Sequence, residues 1–232
     1  MIRATGFIAA LWLALASQAS AEDNPVVVEL YTSQGCSSCP PADAFFHESL
    51  SDRDDVIALA LHVDYWDYLG WKDHFASPAF SKRQRDYARA AGHRSVYTPQ
   101  MIVGGKDHVV GTHPYQVKDL IKAHKNVPPV VDVKIEKKGG RFVIEAEASA
   151  ATGPMVIQIV RYRPRETVSI KRGENAGREL SYSNIVESWD VVAEWDGAKP
   201  IRLRAPARGD LPVVAIVQSR GHGPILAAAR LR

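Results

Sequence analysis

Three regimes of hydrophobic patterning follow one another along the chain. Phe7 to Ala16 is an apolar block, preceded by Arg3 and followed by Ala19-Ser20-Ala21. That is the order of charge, apolar core and small-x-small site found in a secretory signal peptide. The block is shorter than the roughly 20 apolar residues a bilayer span needs. Residues 1–21 are therefore predicted to be removed on export, leaving Glu22 as the first mature residue and a periplasmic or secreted protein with no later membrane segment.

From residue 22 to residue 127, strand-like runs alternate with helical periods. Val26 to Tyr31 reads as a strand closed by the loop Thr32 to Gly35. Pro40-Pro41 opens a helix, because a proline's missing N–H costs nothing in the first turn, and Phe45, Phe46 and Leu50 supply its apolar face. Val56 to Val63 is almost wholly apolar, as expected of a strand buried on both faces of a parallel sheet. Ser77-Pro78 starts a second helix with Phe80, Tyr87, Ala88 and Ala91 at helical spacing, and Gly92 stops it. Met101 to Val103 and His108 to Gly111 flank Gly104-Gly105 as a hairpin. Pro114 opens a third helix with Val117, Leu120, Ile121 and His124 on one face. The order β-α-β-α-β-β-α matches a thioredoxin-like domain, a central mixed sheet flanked by helices.

After Pro128-Pro129 the helical period disappears. Val131 to Glu136, Phe142 to Ala148, Met155 to Tyr162, Ile185 to Trp195, Ile201 to Ala205, Val213 to Gln218 and Ile225 to Leu231 are short runs parted by turns. Residues 128–232 are therefore expected to form a small all-β, sandwich-like domain. Composition is that of an ordinary globular protein, 46% hydrophobic and 24% charged. A net charge of +3 gives no ground for a nucleic-acid partner. The charge is unevenly divided: residues 22–127 hold 11 Lys and Arg against 14 acids, and residues 128–232 hold 17 against 12. The two stretches are expected to attract each other.

Candidate chemistry centres on Cys36 and Cys39, the two cysteines of the chain. A bridge between residues three apart closes so small a loop that it constrains the unfolded chain little, which argues against a mainly structural role. The pair lies between a buried strand and a helix start, where unpaired N–H groups and the helix dipole favour a thiolate, the species that attacks disulfides. Cys36 is the expected nucleophile and Cys39 the resolving thiol, with protein or small-molecule thiols and disulfides as substrates and an envelope redox protein as recycling partner. Ser37 and Ser38 lie between them, and Thr98-Pro99 precedes the third strand. In thioredoxin-like folds a cis-proline at that place lies against the cysteine pair, so Thr98 and Pro99 join the candidate site.

Glu29 has two readings: a buried acid that exchanges a proton with Cys39, or a strand residue facing solvent. Tyr65 and Trp66, in the loop after the second buried strand, are placed where α/β sheets line ligand crevices, although packing between elements is their default role. His62 is read as a satisfied core histidine. No zinc-ligand spacing is present, and no cofactor or metal is expected. The alternative to catalysis is a binding module that captures a partner protein, or copper through Cys36, Cys39 and a histidine. Gly173 to Arg178 is a polar, Gly-bounded segment expected to be a solvent-exposed hairpin connection.

The segment Val28 to Asp43 (VELYTSQGCSSCPPAD) resembles the DUF1223 family of secreted thioredoxin-like bacterial proteins. Val63 to Asp67, Tyr97 to Gln100, Arg172 to Arg178 and Gly223 to Leu226 are similar to further motifs of that family. The resemblance spans the mature chain and implies a thioredoxin-like domain with a β-rich extension; separately, the chain is expected to be a monomer. Tyr31-Thr32 ahead of Gly35-Cys36 is also similar to glutaredoxins, whereas the Ser-Ser between the cysteines differs from the Gly-Pro of thioredoxins.

Overall fold

A computed structural model describes residues 24–231. The predicted signal peptide and the Glu22 start lie outside the described residues. Among the described residues no helix is long and apolar enough to cross a membrane.

The first stretch follows the predicted order. Its elements are β1 (Val26–Thr32), α1 (Pro40–Ser49), β2 (Val56–His62), α2 (Pro78–Ala90), β3 (Gln100–Val103), β4 (Asp107–Val110) and α3 (Pro114–Lys125). Every residue of β1 and β2 is buried, and the two run parallel in the register Val26 to Val56 through Thr32 to His62. Their continuous apolar character follows from being covered on both faces. Pro40 and Pro41 occupy the first helical positions of α1. The Ser77 side chain caps α2 by accepting from Ala79 N–H at 3.3 Å. Helix α1 buries Ala42, Asp43 and Phe46, so its inner face is rotated from the expected one and leaves Phe45 only partly covered.

The second stretch is all β, as its patterning predicts: β5 (Val131–Lys138), β6 (Arg141–Ala148), β7 (Met155–Ser169), β8 (Glu179–Trp195), β9 (Ile201–Pro206), β10 (Val213–Ser219) and β11 (Ile225–Arg230). It does not close on itself as a sandwich. Four of its strands extend the first sheet, giving one eight-stranded mixed sheet in the order β11-β10-β7-β8-β2-β1-β3-β4, while β5-β6-β9 form a separate antiparallel sheet. Alternating residues show the layering. Val26, Val28 and Leu30 of β1 face α1 and α3, whereas Val213, Ala215 and Val217 of β10 face the three-stranded sheet. The other face, with Val27 and Tyr31 of β1 and Val214 and Ile216 of β10, packs under α2 through Phe80 and Tyr87. Sequence grammar changes at residues 127–128, but the hydrogen-bonded sheet runs across that point because β8 pairs with β2.

Strands β7 and β8 are long, 15 and 17 residues, and form a hairpin whose arms extend past the sheet. Its arm is pinned beside α1: His47 Nδ1 lies 2.6 Å from Ser183 Oγ, and Asn184 Nδ2 donates to Ser51 O at 3.1 Å. The tip of this hairpin, residues 170–178, is carried onto the turn that bears the cysteines.

Candidate functional site

Cys36 and Cys39 are joined as a disulfide in the turn between β1 and α1. Cys39 is the N-cap of α1, and both cysteines are buried, at 2% and 0% exposure. Pro40 and Pro41 have no N–H to offer, and the next two amides, of Ala42 and Asp43, both donate to Cys39 O. The donors to sulfur are therefore hydroxyls rather than helix amides. Thr98 Oγ1 donates to Cys36 Sγ at 3.2 Å and itself accepts from Trp66 Nε1 at 2.7 Å. Ser38 Oγ lies 3.4 Å from both Cys36 Sγ and Thr98 O, and its one proton serves either. Ser37 is exposed, and its N–H donates to Glu174 Oε2 at 3.3 Å rather than to a sulfur.

The Thr98–Pro99 peptide is cis. Pro99 is seated between β4 and α1. Gly111 N–H donates to Pro99 O at 2.9 Å, and a Cβ on Gly111 would stand 2.9 Å from Pro99 Cβ and 3.1 Å from Ala42 Cβ. Glycine is required there by close approach, since no side chain fits between the proline and the first turn of α1.

Of the predicted site residues, Cys36, Cys39, Ser38, Thr98, Pro99 and Trp66 are thus brought together. Tyr65 stands beside them: its ring centroid lies 5.8 Å from that of Trp66, and its hydroxyl donates to Gln84 Oε1 on α2 at 3.0 Å. Burial pushes the phenol up to about 12, with the Gln84 and Thr98 side chains pulling the other way.

Glu29 is buried, but neither predicted role matches its partners. Arg83 Nε and Nη2 donate to its two carboxylate oxygens at 2.8 and 2.9 Å, and Tyr31 and Tyr87 hydroxyls donate at 2.9 and 2.7 Å. It faces α2 across the sheet from α1. Gln218 of β10 donates to Tyr87 Oη at 2.7 Å and accepts from Gln158 Nε2 of β7 at 3.1 Å. Arg83 also stacks 3.7 Å over the Trp189 ring. Burial opposes the charge on Arg83, but Glu29 and the two phenols outweigh it and keep the guanidinium protonated. A carboxylate with this many donors is a structural counter-ion.

The buried acid near the cysteines is Asp43, one helical turn past Cys39 and on its face of α1. Burial pushes its carboxyl up to about 7, with nearby His62 pulling the other way. Asp43 Oδ2, Thr32 Oγ1, Gln34 Nε2 and His62 Nε2 are buried with no hydrogen-bond partner within the protein, as is Tyr182 Oη. The His62 and Tyr182 rings are 4.9 Å apart. His62 is only half satisfied: Nδ1 lies 2.7 Å from Asp73 Oδ2. Burial opposes protonation of His62, but Asp73 and Asp43 outweigh it and raise the imidazole above its ordinary value. Asp73 also accepts Gln34 N–H at 2.8 Å, which ties this polar cluster to the loop before Cys36. Among the described residues no three of His, Cys, Asp and Glu assemble as a metal-holding group.

The family model described as Protein of unknown function (DUF1223) matches residues 27–218, from β1 to β10. The chain belongs to the DUF1223 family. A crystal structure of a protein from Agrobacterium tumefaciens is similar to this DUF1223 chain at 33% identity and a TM-score of 0.76, over 89% of this chain and 93% of the other. HBP35 of Porphyromonas gingivalis shares the fold at 17% identity and a TM-score of 0.60, over 90% of this chain and 74% of that one. A comparison with curated proteins gave no match.

The DUF1223 site also holds residues that sequence reasoning misplaced. Gly173 to Arg178 is not a free connection: Asn175 is 1% exposed, and its amide donates to Gln34 O at 2.9 Å and Cys36 O at 3.0 Å. Gly173, at φ +76°, passes so close to Trp71 that an added Cβ would lie 3.1 Å from the Trp71 Cβ. A Gly-bounded polar segment signals a turn. Nothing local signals that the turn docks.

Proposed function

We propose that this protein is an exported thiol–disulfide oxidoreductase with a thioredoxin-like site, working through Cys36 and Cys39 on protein or small-molecule thiols. The observation that carries the reading is the Trp66–Thr98–Cys36 chain, an indole N–H donating to a hydroxyl that donates to the sulfur. A hydroxyl donor strengthens as its acceptor becomes an anion, so this chain favours the thiolate form of Cys36 over the thiol. From the disulfide form, a client thiolate attacks Cys36 Sγ, a client–Cys36 bond forms and Cys39 leaves as thiolate. A second client thiolate then attacks the client sulfur and releases Cys36. Two electrons pass from the client dithiol to the cysteine pair, and the reverse sequence reduces a client. An envelope thiol–disulfide partner restores the starting state. Asp43 supports the step at Cys39: a carboxyl that titrates near neutrality one turn away can give a proton to the departing thiolate.

The test follows exchange with glutathione disulfide, starting from reduced protein. Cys36→Ser is expected to abolish exchange with little change in fold. Cys39→Ser is expected to accumulate a glutathione adduct on Cys36, seen by mass spectrometry. No exchange by the unaltered protein, together with no adduct in Cys39→Ser, would overturn the reading.

A further inference from the structure

The tip of the β7–β8 hairpin lies on the Cys36 turn, and the exchange chemistry above makes no use of it. The tip is closed by Gly177 N–H to Ile170 O and Ile170 N–H to Arg178 O, both 2.8 Å. Within it, both protons of the buried Asn175 amide are spent on the carbonyls of Gln34 and Cys36. The Asn175 carbonyl accepts from Arg178 Nη1 at 3.1 Å, which fixes the amide's orientation. The neighbouring Glu174 is exposed, and its Oε2 accepts the Ser37 N–H at 3.3 Å.

Ser37 N–H is the first backbone donor after Cys36, in a turn whose following helix offers no free amide through Asp43. A donor so placed would favour an anionic sulfur. A carboxylate occupies it instead and adds a negative charge beside the turn. We propose that the hairpin tip controls the redox turn, Asn175 positioning it and Glu174 holding back ionisation of the Cys36 thiol. The proposal rests on Cys36 being the exchanging sulfur and names what tunes it. Contact between Glu174 and the turn makes the reduced, ionised state harder to reach, so the tip slows attack by Cys36 and favours the disulfide. Other ionisable groups around the turn are Arg178 behind Asn175, Asp73 and His62 behind Gln34, Asp43 within α1 and Tyr65 beside Thr98. All stay in place when Glu174 alone is changed.

The measurement is the pH dependence of iodoacetamide alkylation of the reduced protein, with the modified cysteine assigned by mass spectrometry. Glu174→Gln is expected to move the Cys36 midpoint to lower pH, raising the alkylation rate below the midpoint about two- to threefold at low ionic strength, the scale of an exposed charge pair. The shift should shrink in 1 M salt, where the screening length is about 3 Å. Loss of a packing contact would not respond to salt. Asn175→Ala should move the midpoint in the same direction by releasing the tip, and adding Glu174→Gln to it should add little. A midpoint unmoved by Glu174→Gln at low salt, or a shift that persists in 1 M salt, overturns the role of Glu174. A rise of the midpoint in Asn175→Ala overturns that of Asn175. Alkylation needs no client: a chain that exchanges no disulfides yet shows these shifts would refute the proposed function and leave this inference standing.

Discussion

A carboxyl that titrates near neutrality inside a protein costs stability whenever it is charged, and Asp43 is such a group. Its folded value, about 7, stands above the ordinary 3.8. Below about pH 4 it is protonated in folded and unfolded chains alike, so no penalty exists. Between pH 4 and 7 the unfolded chain gives up a proton that the folded chain keeps, and stability falls as pH rises; above pH 7 the penalty is complete. Asp43→Asn removes the ionisable group while keeping the shape. It should match the parent protein near pH 4 and exceed it at pH 8 by on the order of 2–4 kcal/mol, a three-unit shift at about 1.4 kcal/mol per unit. Urea unfolding at the two pH values measures this, and an equal difference at both would remove Asp43 as the titrating group. His62 acts in the opposite window, since its raised imidazole adds stability at low pH that is lost as pH rises through its folded value. Asp43→Asn should also remove any inflection near pH 7 in the rate at which Cys39 is released or closed.

Elements bring the site residues together, and the meeting of α1, β4 and the Thr98-Pro99 loop is the tightest of these junctions. With 2.9 Å to Pro99 Cβ and 3.1 Å to Ala42 Cβ, a methyl at Gly111 forces the proline off the helix. Gly111→Ala should destabilise the fold by about 1–3 kcal/mol, as overpacking does. It should also slow exchange with glutathione disulfide, because Thr98 shifts with Pro99 away from Cys36. Unchanged exchange kinetics in a destabilised variant would show that the loop's position does not matter to the chemistry. Much at this scale was legible in the sequence. Val56 to Val63 could be read because a strand covered on both faces needs no polar alternation, and Ser77-Pro78 because a cap and its following turn are local chemistry. Cys36 and Cys39 carried their signal in spacing, Thr98 and Pro99 in their place ahead of the third strand. Glu29 could not be placed, since its partner Arg83 is 54 residues away; the period of Phe80 and Tyr87 puts Arg83 on the inner face of α2, but nothing local says which acid it meets there. Asn175 escaped for the same reason: its burial follows from the length and register of β7 and β8, which no short window contains.

Across the whole molecule the two stretches of sequence with different grammar are held as one body by buried polar bonds as well as by the shared sheet. Surface attraction between the unequal charges is a small part of this: Arg165 and Asp52 pair across the stretches at 3.6 Å, but in solvent, where such pairs contribute little. The buried network is another matter. Glu29 of β1, Arg83 and Tyr87 of α2, Gln158 of β7, Trp189 of β8 and Gln218 of β10 are joined by charge-assisted bonds and stacking in the core. Replacing Glu29 by Gln strands the Arg83 guanidinium in that interior, and breaking a buried pair in this way costs about 3–5 kcal/mol. If the chain unfolds as one unit, that cost must appear everywhere, including places that touch none of these residues. Amide hydrogen exchange reads it directly: the slowest amides of β3, in the first stretch, and of β6, in the three-stranded sheet, should lose the same protection free energy in Glu29→Gln. Loss confined to β3, with β6 unchanged, would mean that the second sheet unfolds on its own. The hairpin tip resting on Cys36 would keep its support even so, because β7 and β8 belong to the eight-stranded sheet that carries β1 and β3.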